Sequence, residues 1–179
     1  MHRKEILYTH REIEHRVSQL AKQIALDYRG QDLLLIGVLN GSIMLAADLL
    51  RELWNIGFYE IKFDTIKVSS YGAQLASSGD PHLAKDIRLE VKGQHILIVE
   101  DIVDTGLTLN RMVAYLKEKD PASVEILALL SKPSSVRKQD IAVKYIGFEI
   151  ENVWVEGYGI DSAETGRGNP NIMRVLQVE

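Results

Sequence analysis

The stretch Val99-Glu100-Asp101-Ile102-Val103-Asp104-Thr105-Gly106-Leu107-Thr108-Leu109 sets three carboxylates and two hydroxyls directly after an apolar run and ahead of a helical pattern. Residues of these types do two kinds of work. Backbone amides left unpaired at the start of a helix, together with small side chains, suit a phosphate. Paired carboxylates suit vicinal hydroxyls or a hydrated metal ion. A sugar phosphate meets both demands. Ordinary acidic capping of a strand-to-helix turn has the same composition, so spacing alone leaves that alternative open.

Other chemistries fail on residue type or spacing. Gly157-Tyr158-Gly159 lacks the third glycine of a dinucleotide fingerprint, and no Gly-x₄-Gly-Lys-Ser/Thr loop occurs. His10 and His15 are five apart, about 140° around a helix, so they make no two-histidine metal face. His2, His82 and His95 have no ligand spacing and are expected at the surface. With no cysteine, thiol nucleophiles, disulfide scaffolds and cysteine zinc sites are excluded.

The elements around the acidic stretch alternate. Ile13, Val17, Leu20, Ala21, Ile24 and Ala25 recur at three- and four-residue steps, which predicts a surface helix from about Thr9 to Arg29, ended by Gly30. Leu33 to Leu39 is a short continuous apolar run, the pattern of a parallel strand buried on both faces. Ser42 to Asn55 follows as a helix with Ser42 as its N-cap. Ile61 to Val68 reads as a strand, and the small, polar residues after it predict a mobile lid from Ser70 to about Asp86. Ile96 to Val99 is a second buried strand, with Thr105-Gly106 in the turn before a helix that runs to about Lys119; Val124 to Leu130 and Val143 to Phe148 supply further strands. The order predicts an α/β fold, a mostly parallel central sheet flanked by helices, with ligands at the carboxyl ends of the strands.

The 179 residues, 46% hydrophobic and 26% charged, match one soluble domain, with no repeat or linker to divide it. No run reaches the roughly 18 apolar residues of a membrane helix, and the opening Met1-His2-Arg3-Lys4-Glu5 leads into no signal-peptide core, so a cytoplasmic address without membrane partners is expected. The net charge of −4 argues against a broad nucleic-acid footprint.

Two adjacent acids, a third three residues later and Thr-Gly-x-Thr after a hydrophobic strand resemble the phosphoribosyl-pyrophosphate signature of the type I phosphoribosyltransferases. Other segments narrow the resemblance to the hypoxanthine phosphoribosyltransferases. Gly37-Val38-Leu39-Asn40-Gly41-Ser42 resembles that family's pyrophosphate loop, Val68-Ser69-Ser70-Tyr71-Gly72 its catalytic loop, and Leu129-Leu130-Ser131-Lys132-Pro133 its purine-binding lysine segment. Gly147-Phe148-Glu149-Ile150, Gly157-Tyr158-Gly159-Ile160-Asp161 and Arg167 resemble its C-terminal hood, so that the motifs run from about residue 36 to 167.

The resemblance implies a single phosphoribosyltransferase domain over 1–179, with a small hood from the N-terminal segment and about 150–179. It implies purine salvage: transfer of a phosphoribosyl group from phosphoribosyl pyrophosphate to a 6-oxopurine, with Mg2+, releasing pyrophosphate, in a homodimer or homotetramer. On that pattern Glu100 and Asp101 face the ribose hydroxyls and magnesium, and Asp104, Thr105, Gly106, Leu107 and Thr108 cradle the 5′-phosphate. Asp104 is also the proton partner at purine N7, and Leu39, Asn40 and Gly41 meet pyrophosphate. Lys132 donates to the 6-oxo group, Trp154 stacks on the base and the Val155 backbone meets its edge. Asp161 helps hold a second magnesium, Arg167 grips pyrophosphate, and Ser70 and Tyr71 close over the reacting centre.

Three positions depart from the family pattern. Asn40 stands where many relatives carry Lys or Arg, Glu151 replaces a common proline, and Gly166-Arg167-Gly168 lacks flanking aromatics. Two rivals fit the same fold: a nucleic-acid-binding regulator, and a transferase for xanthine, adenine or a pyrimidine.

Overall fold

The computed structural model describes residues 3–68 and 83–176. Its elements run β1 (Arg3–Tyr8), α1 (His10–Asp27), β2 (Leu33–Val38), α2 (Ile43–Asn55), β3 (Ile61–Val68), β4 (Leu83–Lys85), β5 (His95–Val103), α3 (Leu107–Lys117), β6 (Ser123–Ser131), β7 (Tyr145–Glu149), β8 (Trp154–Glu156) and β9 (Ile172–Leu176). Six strands form the main sheet in the order β4-β3-β2-β5-β6-β7. All neighbours in it are parallel except β4, which runs antiparallel along the edge of β3. The expected α/β architecture is therefore present.

Burial follows the sequence pattern. Every residue of β2 is buried, as a strand covered on both faces must be. On one face, α1 and α2 pack Val17, Leu20 and Leu49 against Leu33, Leu35, Leu97 and Val99. On the other, α3 packs Leu109, Met112 and Leu116 against Ile36, Ile96 and Ile98. The α1 stripe buries Ile13, Val17, Leu20, Ala21 and Ile24, and Ala25 is half-buried. Thr9 starts that helix with a capping box: Glu12 N donates to Thr9 Oγ1, and Glu12 Oε2 accepts from Thr9 N at 2.8 Å.

Several expectations need correction. Ser42 makes no side-chain cap; its buried hydroxyl donates to Val38 O at 2.7 Å, tying the start of α2 back to β2. The strand expected to end at Val99 continues to Val103, because β6 pairs along it as far as Val103↔Ser131. His95 is half-buried, with Nδ1 2.8 Å from Ser123 Oγ. The far end of the predicted lid is not loose: residues 83–85 form β4, and Tyr115 donates to Asp86 Oδ2 at 2.6 Å. The rest of that segment, with Ser70 and Tyr71, lies outside the described residues.

A second sheet, three antiparallel strands in the order β1-β9-β8, joins the two ends of the chain. Arg3 pairs with Leu176, and Trp154 with Val175. Its strands are short, and in β1 polar residues mask any alternation, so pairing across more than 150 residues is invisible to local periodicity.

Candidate active site

The carboxyl ends of the parallel strands converge on a cavity of about 250 Å³ whose wall includes Leu39, Glu100, Ile102, Asp104, Thr105 and Thr108. Glu100 and Asp101 follow one another near the end of β5, with their carboxyls close together. Glu100 lines the cavity, whereas Asp101 meets the turn before α2. Gly41 packs its backbone so closely on the Asp101 carboxylate that any Cβ there would overlap it. The side chain of Asp101 is held by Ile102 N at 2.8 Å, and Asp101 N donates to Glu100 Oε1 at 3.2 Å. Burial, reinforced by the neighbouring Asp101 charge, pushes the Glu100 carboxyl well above its ordinary range.

Below the acids, Gly106 turns the chain in the left-handed region, at φ 78°, and α3 begins. No side chain caps that helix. Its first amides are left without intrahelical partners beside Thr105 and Thr108, the arrangement that accepts a phosphate. The turn is supported from behind, where Lys138 N donates to Thr105 O at 2.9 Å. The Leu39–Asn40 peptide is cis, and Asn40 is exposed.

Lys132 arrives from the end of β6, its backbone N donating to Val103 O at 3.0 Å. Its Nζ lies 3.4 Å from Asp104 Oδ1, with the lysine side chain 11% exposed and the aspartate 53%. Trp154 is 62% exposed on β8, and Val155 beside it is buried. Arg167 donates through Nη1 to Gly159 O at 2.8 Å and pairs through Nη2 with Asp161 Oδ1 at 2.7 Å. Gly159 in turn rests on Gly41 O, so the C-terminal turn abuts the loop before α2. The structure thus links Asp101, Gly41, Gly159, Arg167 and Asp161 in one chain of contacts.

Residues 3–163 match the sequence profile of the phosphoribosyl transferase domain, which spans most of the chain and every element just described up to β8. The chain belongs to the phosphoribosyltransferase family. It is 39% identical over 168 residues to a hypoxanthine-guanine phosphoribosyltransferase of Dictyostelium discoideum, covering 93% of this chain and 92% of the relative. It is 38% identical over 180 residues to a hypoxanthine phosphoribosyltransferase of Escherichia coli K12, covering 99% and 98%. Among solved structures, a hypoxanthine-guanine phosphoribosyltransferase from Bacillus anthracis superposes with a TM-score of 0.87 at 37% identity, covering 96% of this chain and 98% of that one.

Within this phosphoribosyltransferase, the departures from the family pattern have local partners. Glu151 pairs with Arg174 on β9 at 3.4 Å, and Gly166 packs on the carboxylate of Glu156. Sequence reasoning missed Ile102 as a cavity wall, because it ended the strand at Val99. It also missed Tyr158, whose hydroxyl donates to Asp48 Oδ2 at 2.6 Å and ties the Gly157–Gly159 turn to α2. No signal in the local sequence marks that pair. Among the described residues no three carboxylates or histidines gather as a complete metal cage. Asp161 is already engaged by Arg167, and its other oxygen accepts from Glu164 N at 2.9 Å.

Proposed function

We propose that this chain transfers the 5-phosphoribosyl group of phosphoribosyl pyrophosphate to a 6-oxopurine, hypoxanthine and also guanine, giving the nucleoside 5′-monophosphate and pyrophosphate. The observation that carries this reading is the Lys132–Asp104 pair beside the cavity and its helix-start cradle. One group offers donors only and the other accepts a proton, which is what a base with a 6-oxo group and a ring N–H requires.

In this reading the bond from the anomeric carbon to pyrophosphate breaks, a carbon–nitrogen bond to the purine forms, and the proton at N7 passes to Asp104. The Thr105–Thr108 turn holds the 5′-phosphate and the Gly41 loop receives pyrophosphate. Trp154 and Ile102 flank the base and keep water from the electrophilic sugar. Ser70 and Tyr71 are proposed to complete that exclusion from the catalytic loop.

The donor set fits magnesium as a shared ion rather than a caged one. Glu100 in the cavity wall and Asp101 beside it bring two like charges together, a repulsion that a dication relieves, and substrate oxygens would supply the remaining ligands. Bound there, magnesium supplies charge neutralisation for the diphosphate. Asp161 is reserved for a second ion only if Arg167 turns to pyrophosphate and releases it.

The same reading gives a single transferase domain with β1, β8 and β9 as its hood, acting in the cytoplasm as a homodimer or homotetramer. No helix among the described residues is long and apolar enough to cross a membrane. Light scattering on the purified chain measures the assembly. The decisive assay is pyrophosphate release with hypoxanthine, guanine, xanthine and adenine in turn, with and without magnesium. Magnesium-dependent release with hypoxanthine is expected. No release with any base, together with tight binding of RNA or DNA, would overturn the reading in favour of a regulator.

A further inference from the structure

Three carboxylates are buried among the described residues: Asp64, Glu100 and Glu156. Asp64 anchors the edge of the main sheet and Glu100 faces the cavity, but Glu156 belongs to neither. It sits on β8 two residues beyond Trp154, so both side chains share one face of the three-stranded sheet. Across β9 that face continues to β1, where Lys4 stands opposite Val175 and Val175 opposite Trp154. Lys4 reaches diagonally over β9 and donates to Glu156 Oε1 at 2.6 Å.

The other carboxylate oxygen, Oε2, is buried without any hydrogen-bond partner. A buried acceptor in that state is costly and asks for an explanation. It lies against Gly166: a Cβ built there would stand 3.1 Å from Glu156 Cδ and 3.4 Å from Oε2. Gly166 also holds φ at 87°, a conformation that other residues adopt only under strain. The next residue is Arg167, whose backbone O accepts from Gly159 N at 2.9 Å and whose guanidinium pairs with Asp161. Glu156 therefore forms the floor under the turn that presents this guanidinium.

We propose that Glu156 is a positioning residue for Arg167. Fixed to β1 by Lys4, its carboxylate sets the height of the Gly166–Arg167 turn and so the reach of the guanidinium toward pyrophosphate. This inference rests on the phosphoribosyl-transfer reading, in which Arg167 is a pyrophosphate ligand. It gives the chain's N-terminal strand a part in substrate affinity although β1 contributes no residue to the cavity wall.

Calorimetric titration with magnesium pyrophosphate tests it on the wild type, Glu156→Gln, Arg167→Ala and the double variant. Glu156→Gln should weaken pyrophosphate binding roughly five- to tenfold, within the coupling range of residues in contact. The double variant should bind no more weakly than Arg167→Ala alone, because the effect passes through that side chain; a merely structural role would leave the two losses additive. Lys4→Met, at an exposed position, should reproduce the weakening and serves where Glu156→Gln does not fold. Unchanged pyrophosphate affinity in Glu156→Gln and Lys4→Met, or full additivity with Arg167→Ala, would overturn the proposal while leaving the transferase reading intact. A wild type that binds no pyrophosphate would overturn both.

Discussion

Lys132 Nζ stands 3.4 Å from Asp104 Oδ1, so the cation at the end of β6 meets the carboxylate at the end of β5. The parallel pairing of β5 with β6 carries both residues to the same edge, and Lys132 N bonded to Val103 O fixes the register of their approach. An entering purine would then find one group that only donates and one that only accepts. The 6-oxo oxygen suits the first and the ring N–H the second.

From this pair follows selection against adenine. Its 6-amino group would confront the Lys132 ammonium donor to donor, and a site built on one such bond rejects the mismatch by up to roughly 10⁴- to 10⁵-fold. Lys132→Ala should lower kcat/KM for hypoxanthine by about one to two orders of magnitude, the worth of a hydrogen bond to a charged group, and narrow the gap to adenine. Affinity for phosphoribosyl pyrophosphate should hardly move. Steady-state kinetics with both bases decide it, and wild-type turnover of adenine comparable to hypoxanthine would defeat the assignment.

Asp104→Asn should leave the fold intact, since the side chain is largely exposed and its ion pair with Lys132 is long. Turnover should fall by about 10²- to 10⁴-fold, the range for a positioned proton acceptor, with phosphoribosyl-pyrophosphate binding retained. Rapid-quench measurement of the chemical step is the check; a rate near wild type would remove Asp104 from proton transfer.

Gly41→Ala should be disproportionately harmful for so small a change. The added methyl would overlap the Asp101 carboxylate, so the loop before α2 or the acid itself must move. Misplacement by about 1 Å can cost on the order of 10²-fold, and here it would fall on phosphoribosyl-pyrophosphate and magnesium affinity together. The pair Glu100→Gln with Asp101→Asn should weaken the same two ligands without any overlap. Isothermal titration that finds unchanged affinities in both variants would exclude this part of the site.

Asp64 predicts an acid-sensitive edge of the sheet. Burial alone would raise its carboxyl, but donors outweigh that: Thr65 N at 2.7 Å, Arg88 N at 2.6 Å, Lys85 Nζ at 3.0 Å and Leu89 N at 3.1 Å hold it down at about 2. A carboxyl lower in the folded than in the unfolded chain stabilises the fold above its ordinary value near 3.8, and that stability is lost as pH falls toward 2. The amount is about 2 kcal/mol. Asp64→Asn should flatten the stability profile between about pH 4 and pH 2 and loosen β4. Urea melts at several pH values measure this, and an equally steep acid loss in the variant would refute it.

The chain's local patterns determined the central sheet and the chemistry at its edge. Continuous apolar runs at Leu33 to Val38 and Ile96 to Val99 can be satisfied only between two helical layers, and parallel strands so covered must deliver Asp104, Thr105 and Thr108 at one edge. Such features are written in neighbouring residues, within the reach of a two- or four-residue period. Everything built from distant residues was decided by the tertiary structure alone. Lys4 with Glu156, Tyr158 with Asp48, and Gly41 against Asp101 join positions with no shared period, and their worth lies in burial and close approach, which exist only after the layers have packed. The pairing of Arg167 with Asp161 is of the same kind: the two residue types were legible as ligands, but only the folded turn shows that they hold each other first.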